Sequence, residues 1–242
     1  IIALYYYRAS RSFGWPFLFL TGRFDMLTIY TVPVATYCAK LRVMMRHKSI
    51  VWEELPPPGG YGSAEYKAIV PSGNLPAMIH DGFMLSDSEA IAEYLNEAFA
   101  QTPMLPDTVQ LRAKAREKGR FHDTRLEPSV RALYAQVAYA TRDAEAVKAG
   151  GAAISKHLEA LALLISDPAL PTDKLWLCDC GFAVTFAWIK AFQSAFDLPV
   201  VWPETIVAYE ARIHQYAAVS DELTHYKPAM DDYLQKAKPP AA

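Results

Sequence analysis

Four polar residues in a row, Ser86-Asp87-Ser88-Glu89, stand directly before an apolar stretch with helical spacing. Ser86 as N-cap and Glu89 three residues later fit a capping box, so a helix is predicted to begin here. The free amides at a helix N-terminus attract a carboxylate, and the serine hydroxyls add donors. Asp87 beside them can pair with an ammonium group. The segment therefore predicts a site for a ligand that carries both an α-carboxylate and an α-amino group.

The elements that must position this site are a hairpin and a helix. Residues 77–80 form a short apolar run, Asp81-Gly82 is a strong signal for a tight turn, and residues 83–85 can return antiparallel. The apolar side chains after the polar segment recur at helical spacing, namely Ile91, Tyr94, Leu95, Ala98 and Phe99. One face of the predicted helix is therefore expected to pack on the hairpin.

This stretch resembles the glutathione-binding half of the cytosolic glutathione S-transferases. The resemblance covers residues 27–99, and the rest of the chain is similar in architecture only. It is carried by Asn74-Leu75-Pro76, by Leu85-Ser86-Asp87-Ser88-Glu89-Ala90-Ile91 and by Tyr94-Leu95.

The resemblance implies a set of glutathione-binding residues. Leu75-Pro76 is expected to be a cis peptide, with the Leu75 backbone bonded to the cysteinyl backbone of glutathione. Asp87 and Ser88 are expected to hold the γ-glutamyl end, although family members usually have Glu at the position of Asp87. Asn74 occupies a position that often contacts the glycine carboxylate.

The strand and helix patterns predict an α/β domain followed by an all-α domain. Strands over residues 27–32 and 50–55 flank a helix over 37–47 with Thr36 as N-cap, and Ser63 can cap a short helix before the hairpin. The order βαβ, α, ββ, α is the thioredoxin-like pattern of the family's first domain. Six helical stretches follow, over residues 111–125, 129–140, 144–166, 182–196, 203–219 and 228–237.

Four parts are expected along the chain. A thioredoxin-like glutathione-binding domain spans residues 26–100, a linker 101–106, and an all-helical domain 107–242. Residues 1–25 are interpreted as an N-terminal extension outside the native fold, because Met26 opens the first recognisable strand. A membrane-surface or partner-binding arm is the alternative interpretation of this extension.

The resemblance also requires a group that keeps the glutathione sulfur as a thiolate, since a free thiol with a pKa of ~8.5 is mostly protonated at pH 7. Thr36 is the first candidate, because a hydroxyl at the start of a helix can face the ligand beside the helix amides. Cys38 is its rival, since Cys-type members form a mixed disulfide with glutathione. Tyr30 in the first strand is the third candidate, and Tyr37 stays open as well.

In the family, the helix that contains residues 122–125 walls the pocket for the electrophile. His122 and Arg125 are therefore candidates for contact with the second substrate, with a structural role as the alternative. The Ser/Thr-x-x-Asp capping box that often opens the family's core helix is not found at residues 183–186, which leaves the subfamily open.

Composition sets outer bounds on the function. The chain has 242 residues, 52% of them hydrophobic, and a formal net charge of −2, so a nucleic-acid partner is not indicated. Its three cysteines, Cys38, Cys178 and Cys180, form neither a disulfide framework nor a zinc spacing. We therefore expect a cytoplasmic protein without a bound metal and without a membrane partner.

The sequence predicts a glutathione transferase that activates glutathione as a thiolate for attack on a small electrophile, by conjugation, displacement or isomerisation. The resemblance adds an expected homodimer, a role in detoxification, and glutathione as co-substrate. Two alternatives stay open: a Cys38-dependent thiol-disulfide reductase, and a non-enzymatic protein that binds glutathione or an apolar ligand.

Overall fold

The computed structural model describes residues 26–166 and 170–238, so the predicted N-terminal extension lies outside the described residues. The first part of the chain alternates strands and helices. Its elements are β1 (Leu27–Tyr30), α1 (Thr36–His47), β2 (Glu53–Leu55), α2 (Ala64–Lys67), β3 (Ala77–His80), β4 (Phe83–Ser86) and α3 (Ser88–Ala98).

The four strands form one mixed sheet in the order β2-β1-β3-β4. β1 pairs parallel with β2 across the α1 crossover and antiparallel with β3, which in turn pairs antiparallel with β4. The β3–β4 turn is Asp81-Gly82, and both residues have positive φ, 50° and 84°. Such a two-residue turn matches the twist of the strands it joins, and the predicted hairpin is confirmed.

The second part of the chain is helical. Its longer elements are α4 (Val109–Phe121), a π-helical segment (His122–Leu126), α5 (Glu127–Ala132), α6 (Ala144–Leu164), α7 (Phe182–Phe196), α8 (Glu204–Ile213) and α9 (Ala217–Leu234). Short 3₁₀ turns are Leu133–Gln136, Tyr139–Thr141, Leu177–Asp179 and Gln235–Ala237. The predicted fold class, a thioredoxin-like domain followed by an all-helical one, is confirmed.

Three of the predicted helices are wrong in their bounds. The stretch over residues 129–140 divides into α5 and the 3₁₀ turns Leu133–Gln136 and Tyr139–Thr141. The stretch over residues 203–219 divides into α8 and α9, because the chain turns at residues 214–216. Pro228 lies inside α9 instead of opening a helix. Its missing N–H removes one backbone bond, and α9 keeps its helical path because it packs along its length on α1 and α7.

Helix α1 is the element that joins the two parts. It packs on α3 from one side and on α7 and α9 from the other. Its apolar side chains are all buried, including Leu41, Val43, Met44 and Met45. The N-terminal turn of α1 is therefore fixed against both the sheet and the helical part of the chain.

Residues 183–186 lack the aspartate of the family's capping box, but a buried aspartate lies a few residues earlier. Asp179 is fully buried before α7, and its Oδ2 accepts a bond from the Trp176 amide at 2.9 Å. Lys118, Tyr209 and Arg212 also donate to this carboxylate, at 2.7, 2.7 and 3.0 Å. Asp179 thus joins α4, α7 and α8 in the core of the helical domain.

Candidate functional site

A cleft of about 570 Å³ lies where the hairpin and the start of α3 face the helical domain. Residues from the sheet side and from the helical side share its walls. They are Tyr37, Tyr61, Ser72, Asn74, Leu75, Pro76, Ser86, Asp87, Ser88, Arg120, Asp123, Thr124 and Arg131. The five residues expected to bind glutathione are therefore brought together in one cleft.

The segment before β3 supplies backbone groups to this cleft. The Leu75-Pro76 peptide is cis, as expected from the sequence. The Tyr66 hydroxyl donates to the Asn74 carbonyl at 2.9 Å and holds the segment in place. No hydrogen bond to the Leu75 backbone is found among the described residues. Its amide and carbonyl are therefore free to pair with an extended ligand.

Asp87, and not Ser86, is the N-cap of α3, so the predicted capping box is wrong in its register. The Asp87 Oδ1 atom accepts from the amides of Glu89 and Ala90, both at 3.0 Å. Glu89 does not turn back to the cap, because its carboxylate pairs with Lys40. One oxygen of Asp87 is thus occupied by the helix, and the other is left for a ligand.

The backbone at Asp87 adopts φ 85°, a region that non-glycine residues rarely occupy. Residues held in such conformations concentrate at functional sites, where the surrounding structure fixes them. Here the conformation lies between strand β4 and helix α3, with Asp87 exposed in the cleft and Ser88 buried beside it.

Thr36 is not placed as the sequence suggested. It is the first residue of α1 with Ala35 as N-cap, so the predicted N-cap is wrong. Its hydroxyl donates to Glu127 Oε1 at 2.8 Å and accepts from Arg131 Nη2 at 3.2 Å. Thr36 is buried and is not among the residues that line the cleft. The buried carboxylate of Glu127 is a much stronger hydrogen-bond acceptor than a neutral thiol. The Thr36 hydroxyl therefore points toward the helical domain.

Cys38 and Tyr30 also lie away from the cleft. Cys38 is 1% exposed, and its sulfur is 3.9 Å from the Tyr30 carbonyl. Burial raises the pKa of Cys38 to about 11, so its thiol stays protonated at neutral pH. Tyr30 is also buried, with its ring edge-on to Tyr66 at 5.6 Å between centroids. Neither residue lines the cleft.

Tyr37 is the only one of the four candidates that lines the cleft. Its hydroxyl donates to the Asp123 carbonyl at 3.0 Å, and the Arg131 guanidinium lies 5.2 Å from the centre of its ring. Burial and the nearby Glu127 carboxylate raise the pKa of Tyr37. The phenol therefore remains neutral, and its hydroxyl proton is used in the hydrogen bond to the helical wall of the cleft.

His122 and Arg125 do not line the cleft, contrary to the expectation for an electrophile pocket. His122 is 2% exposed and lies in the helical core, with Nε2 2.8 Å from Thr185 Oγ1. A Cβ atom at Gly181 would come within 2.5 Å of its ring, so the contact with the start of α7 is close. Arg125 is exposed, and its guanidinium donates to the Thr124 carbonyl.

The helical wall of the cleft is instead formed by Arg120, Asp123, Thr124 and Arg131. Burial would raise the pKa of Asp123, but the bond from His122 and the charge of Lys40 lower it to about 2. The Lys40 ammonium donates to this carboxylate at 2.8 Å. Asp123 is therefore charged and paired, whereas the Arg120 side chain has no ion pair within the described ranges.

A pattern in the sequence could have pointed to this wall. Arg120, Thr124, Glu127 and Arg131 recur at i, i+4, i+7 and i+11, which is one face of a helix. The face is polar although it looks toward the sheet domain. Within the described part of the chain, no group of three or more His, Cys, Asp or Glu side chains is arranged to hold a metal ion.

The sheet domain that forms one wall of the cleft matches a known family model. Residues 29–103 match the family model described as glutathione S-transferase, N-terminal domain. That span contains β1 to α3 and every cleft residue from the sheet side. The sheet domain is therefore similar in sequence to the N-terminal domain of the glutathione S-transferases.

Relatives of the chain have different names. A stringent starvation protein A homolog from Pasteurella multocida is 24% identical over 191 residues, which cover 79% of this chain and 87% of that protein. A probable maleylacetoacetate isomerase 2 from Drosophila melanogaster is 36% identical over 83 residues, which span only 37% of that protein. The names of these relatives differ, so the similarity alone does not give one reaction for this chain.

Solved glutathione transferases share the fold. A Bombyx mori glutathione transferase superimposes with a TM-score of 0.70 at 20% identity, covering 88% of this chain and 98% of that one. The Phanerochaete chrysosporium transferase URE2P6, solved with oxidised glutathione, gives a TM-score of 0.68 at 16% identity over 85% of this chain and 98% of that one. No helix among the residues described is long and apolar enough to cross a membrane.

Proposed function

We propose that the protein binds glutathione in this cleft and transfers it, as a thiolate, to a small electrophile. The observation that carries the proposal is the convergence of the free Leu75 backbone, the exposed Asp87 carboxylate and Ser88 on one wall. Together they offer partners for the peptide backbone, the ammonium group and the α-carboxylate of a γ-glutamyl peptide.

The γ-glutamyl end of glutathione fits the start of α3. The free Asp87 oxygen accepts from the ammonium group, and the hydroxyl and backbone amide of Ser88 at the start of α3 bind the α-carboxylate. Arg120 lines the same cleft as Asp87 and Ser88 and is assigned as the cation for this end. Asn74 and Tyr61 are left for the glycine carboxylate.

The thiol is then directed toward the start of α1. The first turn of a helix leaves amides without intrahelical acceptors, and their positive end of the helix dipole stabilises an anion. Tyr37 in this turn lines the cleft. In this proposal Thr36 supports the turn through Glu127 and Arg131, and the hydroxyl itself does not bind the sulfur.

The test of transfer is a screen of glutathione with halides, epoxides, enones and mixed disulfides. We expect conjugation with at least one carbon electrophile and a loss of that activity at low glutathione in Asp87→Asn. Asp143→Asn is the matched control, since Asp143 also caps a helix through two amides, far from the cleft. Glutathione binding without turnover of any electrophile would contradict the transfer step.

That last outcome would favour a second candidate function, a glutathione-binding protein without catalysis. The specific observation behind it is that the hydroxyl of Thr36, the first candidate for activating the sulfur, is bonded to Glu127 and Arg131. A Cys38-dependent reductase is not favoured, because Cys38 is buried and protonated.

A homodimer in the cytoplasm completes the proposal. Such an assembly is typical of the glutathione S-transferases, which the chain is similar to in its first domain and in fold. Light scattering at micromolar concentration is expected to give twice the chain mass of 27.0 kDa. A monomer mass across the concentration range would reject this assembly.

A further inference from the structure

Three side chains form a cluster where the first turn of α1 meets α5. The Glu127 carboxylate is 2% exposed and accepts from the Thr36 hydroxyl and from two nitrogens of Arg131, Nε and Nη2. Arg131 Nη2 also donates to Thr36 Oγ1 at 3.2 Å. The Thr36 hydroxyl and the Glu127 carboxylate are therefore hydrogen-bonded within the cluster.

The Arg131 side chain is the part of the cluster that reaches the cleft. It is 55% exposed and lines the cleft together with Tyr37, over whose ring it lies at 5.2 Å. Nε and Nη2 are occupied by Glu127 and Thr36, whereas Nη1 has no hydrogen bond within the described part of the chain. A paired guanidinium cannot rotate freely, so one edge is presented to the cleft in a fixed direction.

A buried carboxylate is unfavourable unless it is fully paired, and Glu127 has its partners only in this arrangement. Replacing the pair by apolar side chains would remove that desolvation cost, so packing alone does not require an ion pair at this place. The pair does hold a guanidinium beside the first turn of α1. The Thr36 hydroxyl, expected to activate the sulfur at this place, is bonded within the cluster instead.

We infer that Arg131 binds the sulfur of glutathione through its free edge and stabilises it as a thiolate, with Glu127 and Thr36 as positioning residues. The inference rests on the proposed function and names the group that activates the nucleophile of the same site. The thiol loses its proton to water, and the electron pair left on sulfur accepts from the guanidinium N–H. No oxidant or further reactant is needed.

The effect of Arg131 depends on contact and not on net charge. The Arg131–Glu127 pair is neutral as a whole, but its carboxylate lies behind the guanidinium and away from the cleft. A thiolate in contact with the free edge of Arg131 therefore lies closer to the guanidinium N–H donors than to the Glu127 carboxylate. Since the amides of α1 act as well, removing Arg131 is expected to weaken thiolate stabilisation by about tenfold and not to abolish it.

The experiment titrates the ultraviolet absorption of bound glutathione thiolate against pH in wild type, Arg131→Gln and Arg120→Gln. Affinities for glutathione and for S-methylglutathione, which cannot ionise, are measured in parallel by calorimetry. We expect Arg131→Gln to raise the pKa of the bound thiol by about one unit, with a tenfold lower kcat/KM at neutral pH that recovers at high pH. Its affinity for S-methylglutathione should stay within about twofold of wild type.

The matched cation Arg120 is expected to behave differently. Arg120→Gln should weaken both ligands alike and leave the pKa of the bound thiol unchanged, because Arg120 is assigned to the γ-glutamyl end. Arg131→Lys, a second variant that keeps the charge but loses the paired geometry, should give a pKa between those of wild type and Arg131→Gln.

Four results separate the claims. An unchanged thiol pKa in Arg131→Gln overturns the inference, and so does an equal loss of both ligands in that variant. Wild-type binding with a thiol pKa equal to that of free glutathione also overturns it, while leaving glutathione binding intact. Failure of the wild type to bind either ligand rejects the proposed function itself.

Discussion

The two oxygens of the Asp87 carboxylate lie in different surroundings. One oxygen caps α3 through the amides of Glu89 and Ala90, and the other faces the cleft. The short side chain of Asp87 suits this cap, since an aspartate at an N-cap is well placed to reach the second and third amides of a helix. A single residue thus fixes both the start of the helix and the charge of the site.

Cys38 is predicted to be dispensable. Because it is 1% exposed and burial raises its pKa to about 11, Cys38→Ala should keep glutathione conjugation within about twofold of wild type. Iodoacetamide should label Cys38 much more slowly in the native protein than in the protein unfolded by urea. Mass spectrometry measures the extent of labelling. A dead Cys38→Ala variant that still binds glutathione would return the catalytic role to the cysteine.

The cleft residues proposed to bind glutathione could be predicted from the sequence because they lie close together in short, local motifs. Asn74, Leu75, Asp87 and Ser88 belong to one hairpin and one helix start, so their spacing alone brings them together. Thr36 could not be placed in this way. Its hydroxyl is directed by Glu127, which is distant in sequence, and no local pattern records that contact.

At the scale of elements, the π-helical segment His122–Leu126 sets which side chains reach the cleft. A residue inserted into a helix rotates the turns on its C-terminal side relative to those on its N-terminal side, and such segments are frequent at functional sites. Here Asp123 and Thr124 face the cleft, while His122 is turned into the core. The expectation that His122 and Arg125 line the cleft, which came from the family resemblance, is wrong, because His122 is buried in the core and Arg125 lies outside the cleft.

Acid stability is predicted to depend on this segment. The folded-state pKa of Asp123 is lowered to about 2, so its contribution to stability is complete above the ordinary pKa and is lost as the pH falls toward 2. The free energy of unfolding of Asp123→Asn should lie ~1.5–3 kcal/mol below wild type near pH 6. The difference should shrink between about pH 4 and pH 2.

Denaturant unfolding at several pH values measures this difference. Asp231→Asn is the control, because the Asp231 side chain on α9 is 48% exposed and pairs only with Lys227. A constant gap between wild type and Asp123→Asn down to pH 2 would show that Asp123 is not held ionised by His122 and Lys40.

At the scale of the molecule, buried ion pairs join the sheet domain to the helical domain along α1. The Glu222 carboxylate on α9 is fully buried and accepts from Arg42 Nε at 2.7 Å and from Arg46 Nε at 3.2 Å. The Tyr226 hydroxyl on the same helix donates to the Val34 carbonyl, just before α1. The loop that leads into the candidate site is therefore held from the helical side.

Glu222→Ala is predicted to destabilise the whole protein by ~3–5 kcal/mol, because it leaves the buried Arg42 without a carboxylate. Asp231→Ala, which breaks an exposed pair on the same helix, should change stability by only ~0–1 kcal/mol. Thermal unfolding followed by circular dichroism compares the two. Equal losses in both variants would contradict a structural role for the Arg42–Glu222 contact.

The sequence predicted the order of elements in the sheet domain and the all-helical character of the rest, because both depend on local periodicity. It did not predict the contacts across α1, since Arg42 with Glu222 and Thr36 with Glu127 are far apart in the chain. These contacts decide which polar groups of α1 face the cleft and which are committed to joining the domains.

The most direct test of glutathione binding in this cleft is a calorimetric titration of wild type, Asp87→Asn and Asp143→Asn with glutathione. Asparagine keeps the cap and tolerates the positive φ of Asp87, so the variant removes only the charge. We predict that Asp87→Asn weakens binding by ~1.5–3 kcal/mol, roughly ten- to a hundredfold, while Asp143→Asn binds like wild type. Equal affinity in all three proteins would contradict the assignment of this cleft to glutathione.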